Sequence, residues 1–266
     1  LASSALGFRN KAANENASAV GYGNNAGGVA SSAFGFSNVA KVDYASAFGY
    51  SNEASGLASS AVGFRNKAAS ENASAIGYGN NANALAASAV GYNNTAGGVG
   101  SSTIGYNNTA TNENASAFGY GNTAGGLASS AFGFSNTASG DNANAFGYNN
   151  IASGSKSNVF GTGNTVSGSS STAVGTSNEV AAENSTAIGN NNTISSGAEN
   201  SAALGNNISI SLKDSVALGN NSTATAINSV TGNSSYTKWA GVSDVVGVVS
   251  VGSSGATRQI QNVAAG

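Results

Sequence analysis

The chain of 266 residues contains no cysteine, histidine, proline or methionine, and it has one tryptophan. Without cysteine there is neither a disulfide framework nor a thiolate metal site. Without histidine as well, the usual nucleophile-and-base triads and the common zinc sites are excluded. We therefore expect no enzyme activity, no metal and no cofactor.

Charge is also scarce, because charged residues make up 8% of the chain and the net charge is −2. Such a chain has no strongly basic surface that would bind nucleic acid and no polybasic patch that would bind a membrane. The sequence has no run of about 20 apolar residues that could span a bilayer. It opens in mid-pattern, so we expect an export signal and an anchor in other parts of a longer protein.

Large apolar side chains are few, since alanine makes up nearly half of the 40% hydrophobic fraction and the chain also contains 38 glycines. Side chains this small pack well only where backbones approach closely, layer on layer. Abundant Asn, Ser and Gly with low charge are also typical of disorder, but disorder does not require strict spacing.

The spacing of the glycines is strict. They recur every 14 residues, except for one step of 16 that places two extra residues near Ser195, Ser196 and Gly197. The series is Gly7, Gly21, Gly35, Gly49, Gly63, Gly77, Gly91, Gly105, Gly119, Gly133, Gly147, Gly161, Gly175, Gly189, Gly205 and Gly219. A fixed period of this kind indicates a repeat architecture.

The residues around each glycine keep their places as well. Leu, Ile, Val or Phe precedes it, and Asn stands three residues after it in the first fourteen units. Phe or Tyr follows it directly in the first eleven units, from Phe8 to Tyr148. This aromatic column is either a ligand-binding strip or packing between coils or subunits, and packing is the commoner role in a stacked array.

The alternation of Ser, Ala, apolar residue, Gly and aromatic residue is typical of a short strand. Frequent Gly, Asn and Ser exclude helix. We assign Asn and Gly to the places where the chain reverses, because both tolerate the left-handed backbone region. Each 14-residue unit is then predicted to be one coil of a parallel β-solenoid, with two short strands and two turns.

Burial of side chains within one solenoid does not offset the entropy cost of ordering its chain. Ordering 14 residues costs about 20 kcal/mol, and burying one large apolar residue with a few alanines returns less than half of that. We therefore infer that several rolls pack side by side. The sequence does not say which strand face forms the interface between them.

The later units resemble a known family. Residues 184–189, 200–205 and 214–219 are similar to the NSVAIG repeat of YadA-like heads in trimeric autotransporter adhesins. Earlier units keep the spacing but read ASAFGY or SSAFGF. The resemblance implies an all-β, left-handed parallel β-roll that forms a homotrimer. It also implies a place on the bacterial cell surface, anchored in the outer membrane through a C-terminal domain outside this sequence.

The end of the chain resembles the neck motif VGS…RQIxNVAAG of the same family, which joins the head to a coiled-coil stalk. The resemblance implies that Arg258 makes an ion pair or hydrogen bond between subunits, where the plain alternative is a solvated arginine. It implies further trimer contacts by Gln259, Ile260, Asn262 and Val263.

Between repeats and neck the pattern is interrupted. Residues 228–230 begin an NSV unit whose continuation, residues 250–252, arrives 19 residues late. We interpret 231–249, which holds Tyr236 and Trp239, as an insert of one or two short strands that covers the open end of the roll or contacts a ligand. The predicted domains are 1–230 (head repeats), 231–249 (insert) and 250–266 (neck).

Two further motifs, the repeated glutamates and the Gly-x-Gly copies, do not indicate a catalytic or a nucleotide-binding site. Glu15, Glu71 and Glu113 occupy equivalent turn positions in different units, so they are solvated and form no catalytic pair. Gly-x-Gly copies such as Gly21 and Gly23 lack the following helix of a dinucleotide-binding loop.

The predicted function is that of an adhesin head, which attaches to host cells or to extracellular matrix of the collagen, fibronectin or laminin class by many weak contacts. The alternative is a non-binding spacer that holds other adhesive domains away from the cell. An ice-binding solenoid would require a regular array of Thr pairs, which the sequence lacks.

Overall fold

The computed structural model describes residues 2–227 and 245–262, and every regular element in these ranges is a β-strand. Contacts divide the chain into two units, Leu1–Ala143 and Asn144–Gly266. In both units each coil contributes a long strand, mostly of five residues, and a short strand of two residues. The prediction of a parallel β-roll with two strands in each 14-residue coil is therefore confirmed.

The first unit contains two parallel sheets. Its long strands are β1 (Ser4–Phe8), β3 (Ser18–Tyr22), β5 (Ser32–Phe36), β7 (Ser46–Tyr50), β9 (Ser60–Phe64), β11 (Ser74–Tyr78), β13 (Ser88–Tyr92), β15 (Ser102–Tyr106), β17 (Ser116–Tyr120) and β19 (Ser130–Phe134). Its short strands are β2 (Lys11–Ala12), β4 (Asn25–Ala26), β6 (Val39–Ala40), β8 (Glu53–Ala54), β10 (Lys67–Ala68), β12 (Asn81–Ala82), β14 (Thr95–Ala96), β16 (Thr109–Ala110), β18 (Thr123–Ala124) and β20 (Thr137–Ala138).

The second unit repeats the plan. Its long strands are β21 (Asn144–Tyr148), β23 (Asn158–Thr162), β25 (Thr172–Thr176), β27 (Thr186–Asn190), β29 (Ala202–Asn206) and β31 (Val216–Leu218). Its short strands are β22 (Ile151–Ala152), β24 (Thr165–Val166), β26 (Glu179–Val180), β28 (Thr193–Ile194), β30 (Ser209–Ile210) and β32 (Thr223–Ala224), and a last strand, β33 (Val249–Ser250), continues the long-strand sheet.

Pairing is parallel and in register with the repeat, so equivalent residues face each other in neighbouring coils. Gly77 lies opposite Gly91, and Tyr78 lies opposite Tyr92. At the 16-residue step Thr186 pairs with Ala202, and the two extra residues are absorbed in the turn between β28 and β29. The result is a set of columns, each made of one repeat position.

The interior is a column of small side chains. Ala on the long strand and Ala on the short strand, such as Ala75 and Ala82, are fully buried between the two sheets. In the second unit Val166, Val180 and Ile194 take the short-strand place. Small residues suffice because the two sheets of a coil lie close together.

A buried asparagine column joins the coils. The amide nitrogen of Asn66 lies 3.0 Å from Oδ1 of Asn52, 2.9 Å from the carbonyl oxygen of Val62 and 2.7 Å from that of Gly77. Its own Oδ1 accepts the backbone N–H of Asn80 at 3.0 Å. Both ends of the amide are therefore satisfied inside the roll, as a buried polar group requires.

These asparagines lie where the chain passes from a long strand to a short strand, as expected, but none of them has a positive φ. Left-handed backbone occurs instead two and nine residues after the repeat glycine, at positions held by Arg65, Asn72, Asn93 and Tyr44 among others. Residue identity varies there, since the left-handed region is open at moderate cost. The asparagine three residues after the glycine stays constant because its side-chain amide makes hydrogen bonds to the coil before it and to the coil after it.

We predict that Asn66→Asp destabilises the roll in a pH-dependent way. The new carboxylate would face three oxygens and take the place of a donor, so its pKa in the folded state would rise above the unfolded value of about 3.9. Stability is then retained below pH ~4 and falls as the pH rises, with a loss of about 2–4 kcal/mol at pH 7.

Thermal unfolding followed by circular dichroism at pH 3 and pH 7 measures this effect. The matched control is Asn93→Asp, on the exposed surface of a nearby coil, where Asn93 makes a 3.2 Å hydrogen bond to Asn107. It should change stability by less than about 1 kcal/mol at either pH. Equal losses at both pH values for Asn66→Asp would contradict the prediction.

Candidate functional site

The repeat glycines lie where two coils approach most closely. All sixteen have φ between 90° and 146°. A Cβ added at Gly77 would overlap the carbonyl oxygen of Gly91 in the next coil. That oxygen accepts a 2.6 Å hydrogen bond from the side chain of Asn80. Only glycine satisfies both the backbone conformation and the close contact.

The outer face of the long-strand sheet is flat and largely apolar in the first unit. Ala points inward, so the serine before it and the residues just before and just after the repeat glycine point outward in three parallel columns, of which the last two are apolar. Ile104 and Tyr106 belong to these columns and are 45% and 43% exposed. The isolated chain thus leaves a continuous apolar face uncovered, which marks an interaction surface.

The aromatic column of this face is a stack of rings. Centroids of Tyr78 and Tyr92 lie 4.8 Å apart with planes 5° from parallel, and Tyr92 and Tyr106 repeat this arrangement at 2°. Each ring therefore covers the face of its neighbour and presents its edge to the outside. A ligand that stacks on ring faces finds them occupied, which favours the interpretation of this column as packing.

The corresponding column of the second unit becomes polar after Tyr148. It continues as Thr162 and Thr176, and Asn190 then donates a 2.7 Å hydrogen bond to Asn206. The column just before the repeat glycine stays apolar and exposed, as at Ile188 and Leu204, and further Val and Ile side chains lie inside the roll.

The outer face of the short-strand sheet is mixed and mostly polar. Its outward residue is Lys, Asn, Val, Glu or Thr in the first unit, with a run of threonines at Thr95, Thr109, Thr123 and Thr137. The two faces of the roll therefore differ in chemistry: one is apolar and uniform, and the other is polar and varied.

Some charges of the first unit lie at the two edges of the long-strand sheet, and others, such as Lys67, lie on the short strands. The carboxyl edge, as we call the residues directly after each long strand, carries Arg9 and Arg65. The amino edge, as we call the residues three before each long strand, carries Asp43 and Asp141 and the glutamates Glu15, Glu71 and Glu113. These glutamates are exposed and stand in different coils, as expected.

After the insert the coil pattern resumes at β33, where Val249 pairs with Val216 and Ser250 with Ala217. The N–H of Val248 donates to Oγ of Ser215 at 3.0 Å, as the N–H of Ser215 does to Ser201. Val248 and Val249 thus hold coil positions that were predicted for Ser229 and Val230. Residues 228–244, with Tyr236 and Trp239, lie outside the described ranges, so the extent of the insert stays a prediction.

Arg258 lies across the end of the last coil. Its Nη1 donates to the carbonyl oxygen of Val251 at 2.7 Å and to Oγ of Ser222 at 3.1 Å, and its Nη2 donates to the carbonyl oxygen of Asn220. In earlier coils the carbonyl oxygen equivalent to that of Asn220 accepts an N–H from the following coil. The guanidinium therefore caps the open end of the roll, at a place where Gly219 leaves room for it.

The expected partner of Arg258 was a neighbouring subunit, whereas the hydrogen bonds of the isolated chain are all internal. Gln259 is exposed, Ile260 is 70% exposed, and Asn262 has a φ of 61°. Val263 lies outside the described residues. Contacts of these residues in a trimer stay a prediction.

The side chains that could bind a metal do not cluster in the described part of the chain. No set of three or more Asp, Glu, His or Cys side chains there could hold a metal ion. Nor do residues 2–227 and 245–262 form a helix long and apolar enough to cross a bilayer. Fold and surface together define a parallel β-roll repeat protein whose chemistry lies in long columns of residues on its outer faces.

Comparison with protein families agrees with this class. A family model described as the YadA head domain repeat matches residues 2–24, 26–52, 54–80, 68–94, 96–122, 124–150, 138–164, 167–192 and 213–230. The chain therefore belongs to the YadA-like heads of trimeric autotransporter adhesins. Members of this family are non-enzymatic, exposed on the bacterial surface and homotrimeric, and they bind host matrix in general. A comparison with curated proteins gave no match.

We predict that Gly77→Ala fractures the roll. The methyl group would meet the backbone of Gly91 at a φ of 120°, so at least about 3 kcal/mol of stability should be lost. The control is Gly79→Asn in the same coil, because Asn93 already holds the equivalent position at a φ of 53°. It should stay within about 1 kcal/mol of the parent. Chemical denaturation measures both, and equal midpoints would contradict the prediction.

We also predict that Arg258→Ala loosens the last coil. The N–H groups of Asn221 and Thr223, which bond to the carbonyl oxygens of Asn206 and Gly252, should exchange with deuterium about 10-fold faster. The control is Ser254→Ala, at an exposed position of the same segment, for which exchange should not change. Unaltered protection in Arg258→Ala would show that the guanidinium is not a cap.

Proposed function

We propose that this chain is the homotrimeric head of an outer-membrane-anchored adhesin, which attaches bacteria to extracellular matrix or host cells through many weak contacts. The supporting observation is the register of the repeat, which displays the same surface position in every coil. An array of equal, closely spaced sites gains avidity by multivalency, although each contact is weak. The proposal involves no cofactor and no nucleic acid.

The trimer interface in this proposal is the long-strand face. Ile76, Ile104 and Tyr106 lie on it, and each is more than 40% exposed in the isolated chain. Three such faces turned toward a common axis bury their apolar columns against each other, which removes the free-energy deficit of the single roll. Gln259, Ile260, Asn262 and Val263 extend the trimer contacts into the neck.

The ligand-binding surface is then the short-strand face, which such an arrangement leaves in solvent. It is polar and repetitive, with threonines at successive coils from Thr95 to Thr137. Hydroxyl and amide groups at a spacing of about 4.8 Å suit an elongated protein ligand that contacts several coils at once. Collagen, fibronectin and laminin are ligands of this kind.

A spacer that carries other adhesive domains is the second candidate. Low charge and uniform coils along the chain are compatible with a surface that binds nothing. Binding measurements on trimeric material separate the two functions.

The test compares three proteins on surfaces coated with collagen, fibronectin or laminin, after their mass has been measured by sedimentation. The parent should be a trimer that binds at least one ligand. Ile76→Asp with Ile104→Asp should lose the trimer, because three buried carboxylates per layer repel each other. Thr95→Asp with Thr109→Asp should keep the trimer and change binding.

Two outcomes would decide against parts of the proposal. A parent trimer that binds none of the three ligands favours the spacer. A monomeric parent removes the trimer and with it the assignment of the two faces.

A further inference from the structure

Two coils of the first unit carry the same set of charges. Arg9 and Glu15 belong to the coil of Gly7, and Arg65 and Glu71 belong to the coil of Gly63, four coils further on. In both coils the arginine lies at the carboxyl edge and the glutamate lies at the amino edge. The glutamate of each pair precedes the long strand of the next coil, so one roll presents opposite charges on its two edges with a height difference of at most one coil, about 4.8 Å.

The arginines are held in place by the aromatic column. Cζ of Arg9 lies 5.2 Å from the ring centroid of Phe8, and Cζ of Arg65 lies 5.1 Å from that of Phe64. Nη1 of Arg9 also donates to the hydroxyl of Tyr22 at 3.4 Å. A cation held against an aromatic ring keeps other N–H groups free for an acidic partner.

No counter-charge adjoins Arg65 or Glu71 in the columns of their own chain. Ser51 and Gly79 stand beside Arg65 in the adjacent coils, and Leu57 and Leu85 stand beside Glu71. The two edges of one coil are separated by a five-residue strand, about 13 Å long. The lysine two residues after Arg65 differs, since Lys67 pairs in register with Glu53.

Threefold symmetry brings the two edges together. Rotation about an axis parallel to the stack of coils leaves the height of each residue unchanged. If the long-strand faces turn toward that axis, the carboxyl edge of one roll meets the amino edge of the next. Arg65 then lies within one coil of Glu71 of the partner subunit, and Arg9 within one coil of Glu15 of the partner subunit, a separation that these long side chains can span.

We propose that Arg9–Glu15 and Arg65–Glu71 form two rings of ion pairs between subunits, and that these rings fix the axial register of the three chains. The proposal rests on the homotrimer proposed above. Apolar columns alone specify register weakly, because a shift by one coil, about 4.8 Å, replaces each contact with a similar one. Charges at two coils about 19 Å apart remove that degeneracy, as edge charges do in coiled coils.

The experiment uses the full chain and four variants. One variant carries Arg9→Glu and Arg65→Glu, a second carries Glu15→Arg and Glu71→Arg, and a third carries all four changes. The control is Glu113→Arg, at the amino edge of a coil whose carboxyl edge holds the uncharged Asn107. Sedimentation gives the mass of each protein, and thermal unfolding gives its Tm in 20 mM and 500 mM NaCl.

Both two-residue reversals should lower the Tm of the trimer by at least about 3 °C in low salt, because each ring would then contain like charges. The four-residue variant restores opposite charges across every interface and should recover at least half of that loss. Its recovery should shrink in high salt, where ion pairs are screened. The control should shift the Tm by less than about 1 °C.

Three results would overturn the inference. The first is a trimer whose Tm is unchanged by the charge reversals. This result excludes the ion-pair rings but agrees with the proposed trimer. The second is a four-residue variant no more stable than either reversal. The third is a monomeric parent, which removes the proposed trimer as well. Should a reversal prevent folding, Arg9→Gln with Arg65→Gln tests the same pairs, with about half the loss expected.

Discussion

The contact between one coil and the next at the repeat glycine determines the rest of this structure. There the backbone of Gly77 lies against the carbonyl oxygen of Gly91, and Asn80 donates to that same oxygen. A side chain at the glycine would separate the coils, and a residue other than asparagine would leave buried backbone groups without partners. All the surface columns depend on this spacing.

The two units distribute their apolar volume differently. In the first unit the interior is alanine, and the large side chains, such as Ile104 and Tyr106, lie on the outer face. In the second unit Val166, Val180 and Ile194 lie inside, and one of the two outer columns that are apolar in the first unit turns to threonine and asparagine while the other stays apolar. Burial inside the roll therefore contributes more to the stability of the second unit than to that of the first.

Adhesion requires a surface that repeats and stays in place rather than a pocket. Stacked rings such as Tyr78 and Tyr92 present edges to their surroundings, and the opposite face presents hydroxyl and amide groups coil after coil. Weak contacts summed over such an array suit the adhesin-type role of the family. Arg258 caps the open end of the roll after its last coil.

The sequence by itself determined the coil, its two strands, the break at residues 195–197 and the family, because a 14-residue period with glycine at a fixed place admits few backbone paths. Only the tertiary structure showed that the constant asparagine is a buried ladder, that the left-handed positions are those of Arg65 and Asn72, and that Arg258 bonds its own chain. These features depend on hydrogen bonds between residues that are distant in sequence. A repeat pattern records that a position is constrained, but it does not record which partner constrains it.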